Sequence, residues 1–114
     1  MGVSQVGGTS YSNLALDEVK AVVIAGPCLL FNIAAFNTGA VSYLQFFDAL
    51  TANVTVGTTT PTFVLALPAA GGINSNYVLP KRFRNGVVIA CTSAPTTNGA
   101  PAADAIITLD YTGG

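Results

Sequence analysis

The chain has 114 residues, of which 51% are hydrophobic and only 8% are charged, with a formal net charge of −1. It contains no histidine, which excludes Ser-His-Asp and Cys-His catalysis and removes the commonest ligand for zinc, copper and iron. The estimated pI of 4.8 argues against nucleic-acid binding, and the longest apolar run, Ala21–Phe31, is too short for a membrane-spanning helix of roughly 20 residues.

The scarcity of charge indicates a protein that works in contact with other protein. Soluble domains carry roughly 25% charged residues, so Ser, Thr, Asn and Gly must solvate most of this surface. With so few charges, the electrostatic repulsion between copies of the chain is weak. A single domain of this length buries enough surface to form a core without disulfides or metals.

The first 18 residues differ in composition from the rest and predict an N-terminal arm. Gly7 and Gly8, with several serines nearby, are typical of a flexible start. Residues 13–18 are expected to form a short helical turn or an extended segment. Tyr11 and Leu14 are the candidate partner contacts of the arm, and residues 19–114 form the predicted domain.

From Val19 onward, short apolar stretches alternate with turn residues, and helical periodicity is almost absent. This pattern is typical of an all-β protein, and we expect a single β-sandwich with a jelly-roll-like topology or a related antiparallel barrel. The predicted strands are Val19–Ala25, Cys28–Asn37, Val41–Asp48, Pro61–Leu67, Ile73–Leu79, Gly86–Thr92 and Asp104–Tyr111.

The two cysteines, Cys28 and Cys91, both lie in apolar predicted strands. Small core residues are the first interpretation, because free cysteine is among the most buried residue types. A disulfide that joins two layers of the sandwich is the alternative.

Five carboxylates remain as candidate catalytic or metal-binding groups, and they are scattered along the chain. Asp104 and Asp110 share one predicted strand and one face of it, but few other polar groups would support a catalytic pair or a calcium site. We therefore expect no enzyme activity, no catalytic residue, no metal and no cofactor.

One basic cluster stands out, the segment PKRFRNG at Pro80–Gly86, which holds three of the four Lys and Arg residues. In one interpretation Lys81, Arg82 and Arg84 contact a partner while Phe83 anchors in a pocket of that partner. In the other, these charges lie on a solvated loop or edge strand and discourage edge-to-edge aggregation.

Several segments, in order, resemble a family of small tailed-bacteriophage virion proteins. They are YLQFFDA, VGTTTPTFVLALPAAGG, LPKRFRNGVVIACTSAP and DAIITLDYTGG, and the resemblance covers Val41–Tyr111. The family has a Tyr-x-x-Phe-Phe/Tyr-Asp strand, a VGT-x-x-P loop, a turn with Ala-Gly-Gly, a Phe-x-x-Gly strand and a closing strand with Thr-Leu-x-Tyr. This chain departs from the pattern at PKRFRNG, where the family more often has Gly and Ser around the Phe.

The resemblance implies a β-sandwich that decorates, or cements, a phage capsid. Its partners would be the major capsid protein and further copies of itself, with a trimer as the working hypothesis. The protein would be made in the bacterial cytoplasm and would reside on the capsid surface. The alternative is a tail or fibre module that binds a host glycan, for which the candidate stacking residues are Tyr11, Tyr43, Tyr77 and Tyr111.

Overall fold

The computed structural model describes residues 9–113, except for the side chain of Val78. These residues form eight β-strands and one short 3₁₀ helix, Thr51–Asn53, between the fourth and fifth strands. The strands are β1 Thr9–Leu16, β2 Ala21–Ile24, β3 Cys28–Asn37, β4 Ser42–Phe47, β5 Phe63–Leu67, β6 Gly71–Phe83, β7 Val87–Thr92 and β8 Ala105–Gly113.

The strands form two four-stranded sheets that pack face to face. Sheet 1 has the order β1-β8-β3-β6 and sheet 2 has the order β2-β7-β4-β5. All the strand pairs are antiparallel. The pairing of β1 with β8, β2 with β7, β3 with β6 and β4 with β5 is that of one long hairpin wrapped into two layers, which is the topology of a jelly roll. The predicted all-β sandwich is therefore confirmed.

The core lies between the sheets and consists of every second residue of the strands, as the period of two in a β-strand requires. Leu44 and Phe46 in β4 and Val87, Ile89 and Cys91 in β7 project from sheet 2. They meet side chains of sheet 1 that are equally buried, namely Leu16, Cys28, Leu30, Ile33, Ala35, Phe83, Ala105, Ile107 and Leu109.

Part of the predicted N-terminal arm belongs to the sandwich. Residues 9–16 form β1, an edge strand hydrogen-bonded to β8, so that residues 13–16 have the extended one of the two conformations predicted for 13–18. Leu16 is buried in the core. The arm prediction therefore does not hold for residues 9–16, because backbone pairing and this core side chain tie them to the sheet. Residues 1–8 lie outside the described residues.

The basic cluster is also part of the sandwich. β6 begins two residues before the predicted strand and continues through Pro80 to Phe83, where it pairs with the start of β3. A bulge interrupts this edge strand, since Asn76 pairs with Asn32 whereas Lys81 pairs with Leu30. The bulge accommodates Pro80, which has no N–H to donate to a ladder.

Candidate protein-contact surfaces

Loops of the same chain cover the outer face of the two central strands of sheet 2, β4 and β7, and leave Val22 and Ala66 on its edge strands exposed. Gln45, Phe47, Val88, Ala90 and Thr92 alternate with core residues along β4 and β7, yet all five are buried. Val54 and Val56, in the loop after β4, pack against Phe47 and Val88 to form a second, smaller core. Sheet 2 is therefore sandwiched between the main core and its own loops.

Polar contacts fasten these loops. The Lys20 ammonium donates to the carbonyl oxygen of Thr51 at 2.7 Å and also to that of Val54. On the other side, the Gln45 amide donates to Thr92 Oγ1 at 2.7 Å and to the Thr97 carbonyl at 2.9 Å. Hydrogen bonds from a buried amide and a charged amine are among the stronger ones in proteins, so the cover is an integral part of the fold.

A glycine marks the point where the two covering loops meet. Gly57 has a φ of 92°, which favours glycine, and a Cβ placed there would lie 3.0 Å from Cβ of Asn98 in the β7–β8 loop. The loops therefore approach too closely for a larger residue at this position.

The outer face of sheet 1 has no such cover within residues 9–113, and we call it the open face. Its side chains alternate with core residues of β1, β3, β6 and β8, and every one of them is exposed or half-buried. Most are small or polar and uncharged, and only one acid and one arginine are among them. The open face consists of Ser10, Ser12, Leu29, Asn32, Ala34, Phe36, Asn74, Asn76, Arg82, Ile106, Thr108, Asp110 and Thr112.

A row of polar side chains crosses the middle of the open face. Ser10, Asp110, Asn32 and Asn76 are paired in register across the four strands. The Ser10 hydroxyl donates to Asp110 Oδ1 at 2.6 Å, and the Asn32 amide donates to Asp110 Oδ2 at 2.9 Å. Both hydrogen bonds favour the carboxylate, with the larger effect from Ser10, and lower the pKa of Asp110 below its ordinary value.

The end of the open face is apolar. Phe36 and Ile106 lie opposite each other in β3 and β8 and remain 46% and 42% exposed. With Ala34, Ile73 and Thr108 they line a shallow depression. Half-exposed aromatic and aliphatic side chains next to each other are typical of a protein-contact surface.

The sequence-predicted contact residues Lys81, Arg82, Phe83 and Arg84 divide between different environments. Phe83 is 1% exposed and belongs to the main core. The prediction that it anchors in a partner is therefore wrong, because its ring already packs near Phe63, with a centroid distance of 6.0 Å. Arg82 and Arg84 are exposed, as a contact or an anti-aggregation role requires.

Lys81 lies at the mouth of a cleft between the edge strands β5 and β6. Its ammonium is 4.7 Å from the centroid of the Phe63 ring and 5.1 Å from that of Tyr77, which are cation–π distances. Phe63 in turn stacks on Phe46, with centroids 4.5 Å apart and planes 7° from parallel. The cleft has a volume of about 260 Å³ and is lined by Thr62, Phe63, Lys81, Arg82 and Phe83.

Asp48 fixes the turn that follows this cluster. Its Oδ1 accepts hydrogen bonds from the backbone N–H groups of Arg84 at 3.0 Å and Asn85 at 2.9 Å. The carboxylate therefore holds the backbone of the β6–β7 turn, so that its negative charge is engaged by amides beside the three basic side chains.

Tyr11 and Leu14 lie at the opposite edge of sheet 1, in β1. Two strands separate β1 from β6, which corresponds to about 14 Å. Tyr11 packs against the core and its hydroxyl accepts a hydrogen bond from the Asn13 amide at 3.1 Å, whereas Leu14 is 75% exposed. The predicted contact residues therefore form two separate edges and not one site.

The thiols of Cys28 and Cys91 are free and buried in the main core, so the disulfide alternative is wrong. Burial is the main cause that raises the pKa of both thiols.

Within residues 9–113, no group of three or more His, Cys, Asp or Glu side chains is placed to hold a metal ion, and no helix is long and apolar enough to cross a membrane.

The open face was missed by sequence reasoning, although a signal exists. Small and polar residues flank Ile33 in β3 and Leu109 in β8, which indicates an outward face. The same alternation occurs on any solvated strand. Only the sheet order, which places these strands side by side, shows that they make a continuous surface.

Comparison with protein-family models, with curated proteins and with solved structures found no match to this chain.

Proposed function

We propose that this protein is a structural component of a tailed-bacteriophage virion, a decoration protein that binds the lattice of the major capsid protein and stabilises the head. Its open face lies against the capsid in this proposal, and further copies of the chain lie beside it. No bond is made or broken, since stabilisation comes from surface buried across subunit boundaries.

One observation carries the proposal, the difference between the outer faces of the two sheets. Sheet 2 buries the outer face of its central strands, β4 and β7, under the chain's own loops. Sheet 1 leaves an equally wide face open, with Phe36 and Ile106 half-exposed and few charges to keep it in water. Such a charge-poor face with an apolar end suits a large partner surface.

The composition supports a role in which the protein stays attached. With 8% charged residues, fewer charges have to be desolvated when the surface is buried than on an average protein. A decoration protein is present in many copies, and neighbouring contacts add to modest individual affinities through their high effective concentration. The resemblance of Val41–Tyr111 to small phage virion proteins agrees with this role.

The alternative, a tail or fibre module that binds a host glycan, has less support. A glycan-binding site needs an exposed aromatic ring on which a sugar can stack. Tyr11, Tyr77 and Tyr111 are half-buried and pack against the core, and Tyr43 is also half-buried. None of the four candidate tyrosines is therefore a fully exposed ring, and three of them serve in packing.

The test is an Ala34→Arg variant, which adds a long charged side chain to the centre of the open face. The matched control is Ala66→Arg, the same change on the outward side of β5 in sheet 2. Each purified variant is added to phage heads that lack the protein, and its occupancy is measured by image reconstruction and gel densitometry.

We expect Ala34→Arg to lower the affinity for heads by about tenfold or more, because the arginine must be desolvated or displaced, while Ala66→Arg binds like the unchanged protein. Circular dichroism checks that both variants fold. Full occupancy by a folded Ala34→Arg, or absence of the unchanged protein from heads, would overturn the proposal.

A further inference from the structure

Two exposed patches lie on opposite flanks of the sandwich. β1 and β2 are the edge strands on one flank, and β6 and β5 are those on the other. Among the side chains that the structure describes, the three most exposed large aliphatic ones are Leu79 at 84%, Leu14 at 75% and Val19 at 66%. They are divided between these two flanks.

The basic flank consists of Leu79, Lys81 and Arg82 in β6, together with the rings of Phe63 and Tyr77 that Lys81 covers. Three of the four Lys and Arg residues of the chain occur within four consecutive positions here. The nearest carboxylate, Asp48, is engaged by the backbone amides of the β6–β7 turn. The cleft between β5 and β6 therefore combines an aromatic floor with cations at its rim.

The acidic flank consists of Leu14, Asp17, Glu18 and Val19, at the end of β1 and in the link to β2. Asp17 and Glu18 are the only adjacent carboxylates in the sequence, and two highly exposed aliphatic side chains flank them. The Asp17 side chain accepts a hydrogen bond from the Val19 N–H at 3.0 Å, which fixes the bend of the link. Lys20 is turned towards the loop carbonyls of Thr51 and Val54.

We infer that the basic flank of one copy binds the acidic flank of the next. Each flank offers an exposed aliphatic group beside charges of one sign, and the signs are opposite. This complementarity favours a second copy of the chain as the occupant of the β5–β6 cleft. The inference deepens the homo-oligomer of the proposed function by naming its surfaces.

Such a contact is heterologous, because it joins two different surfaces of the same molecule. A heterologous contact repeats from copy to copy and generates a ring if the rotation closes, or a filament if it does not. Apart from Arg82 at its edge, the open face of sheet 1 takes no part in it, so that all copies of a ring can present this face to the capsid.

The test uses the isolated full chain without capsid, so that its result is separate from that of head binding. Sedimentation equilibrium over a concentration series measures association of the unchanged protein and of two charge-reversed variants. One is Lys81→Glu with Arg82→Glu, and the other is Asp17→Lys with Glu18→Lys. Thr108→Lys, on the open face in the inner strand β8 and on neither flank, is the control.

We expect the unchanged protein and the control to form the same oligomer, and each charge-reversed variant to dissociate with a constant raised by about tenfold or more. An equimolar mixture of the two variants should associate again through contacts between unlike copies, because the basic cleft of one variant meets carboxylates and the acidic cleft of the other meets the introduced lysines. A folding defect would lower the melting temperature and would not be rescued by mixing. A monomeric unchanged protein, or two variants that fail to associate when mixed, would overturn the inference.

Discussion

The outer faces of the two sheets show how one chain produces a closed surface and an open one from the same β-strand alternation. Phe47 projects outward from sheet 2 and is 1% exposed, whereas Phe36 projects outward from sheet 1 and is 46% exposed. The difference lies in the loops. The loop around Val54 folds back over sheet 2, while the connections of sheet 1 leave its face bare. An outward aromatic residue can therefore belong to a core or to a contact surface.

The largest expected effect comes from truncating these two phenylalanines. Phe47→Ala should lower the free energy of unfolding by about 3–5 kcal/mol, because it empties the second core between sheet 2 and its loop. Phe36→Ala, the matched change on the open face, should cost about 1 kcal/mol or less. Urea denaturation followed by circular dichroism measures both. Equal losses would show that the two faces do not differ as described.

The same pair should have the opposite order in head binding. Phe36→Ala removes exposed apolar surface from the open face and should weaken binding to phage heads, while folded Phe47→Ala should bind like the unchanged protein. Occupancy measured well below the unfolding temperature of both variants tests this reversal. Unchanged binding by Phe36→Ala would mean that the apolar end of the open face is not in contact with the capsid.

A smaller effect is expected from Lys20→Met, which keeps most of the aliphatic stem but removes the ammonium that donates to two loop carbonyls. The loss should be about 1–2 kcal/mol, since charged donors form the stronger hydrogen bonds and this one is only partly buried. Hydrogen exchange should become faster in residues 51–56 and stay unchanged in sheet 1. Arg84→Met, at an exposed residue, is the control. Equal hydrogen exchange in both variants would contradict the role of the Lys20 ammonium in holding this loop.

The smallest effect is on the pH dependence of the open face. Hydrogen bonds from Ser10 and Asn32 lower the pKa of Asp110 in the folded protein. A depressed carboxyl pKa contributes stability that is present above the pKa of the unfolded chain and is lost as the pH falls through the folded value. Ser10→Ala should therefore shift the NMR titration midpoint of Asp110 upward. A midpoint that does not move would show that the Ser10 hydroxyl does not act on this carboxylate.

Much of the fold could be predicted from local patterns. The bounds of β3 were predicted to the residue, and those of β7 and β8 to within two residues, because turn residues bracket their apolar runs. β1 was assigned to an arm, since Ser, Asn and Gly dominate its neighbourhood. Only a few side chains of this edge strand face the core, so its apolar pattern in the sequence is weak. The predicted strand ended at Leu79 because of Pro80, and both a solvated loop and an edge strand remained open for the basic segment that forms the end of β6.

The candidate surfaces were predictable only in part. The sequence located the basic cluster and Leu14, and both lie at sheet edges. It could not separate Phe83, which is buried, from Arg82 and Arg84, which are exposed, because all three occur in one short segment. Alternation assigns neighbouring side chains to opposite sides of a strand, but which side is the core depends on the sheet that packs against it.

By itself, the sequence determined that this protein is an all-β domain, poor in charge and without histidine chemistry, since strand periodicity, turn residues and composition are local properties. The tertiary structure decided which outer face is covered, which phenylalanines fill the cores and which edges carry opposite charges. These features depend on residues far apart in the chain, which come together only when the strands pair in the order of the jelly roll and the loops pack over one sheet.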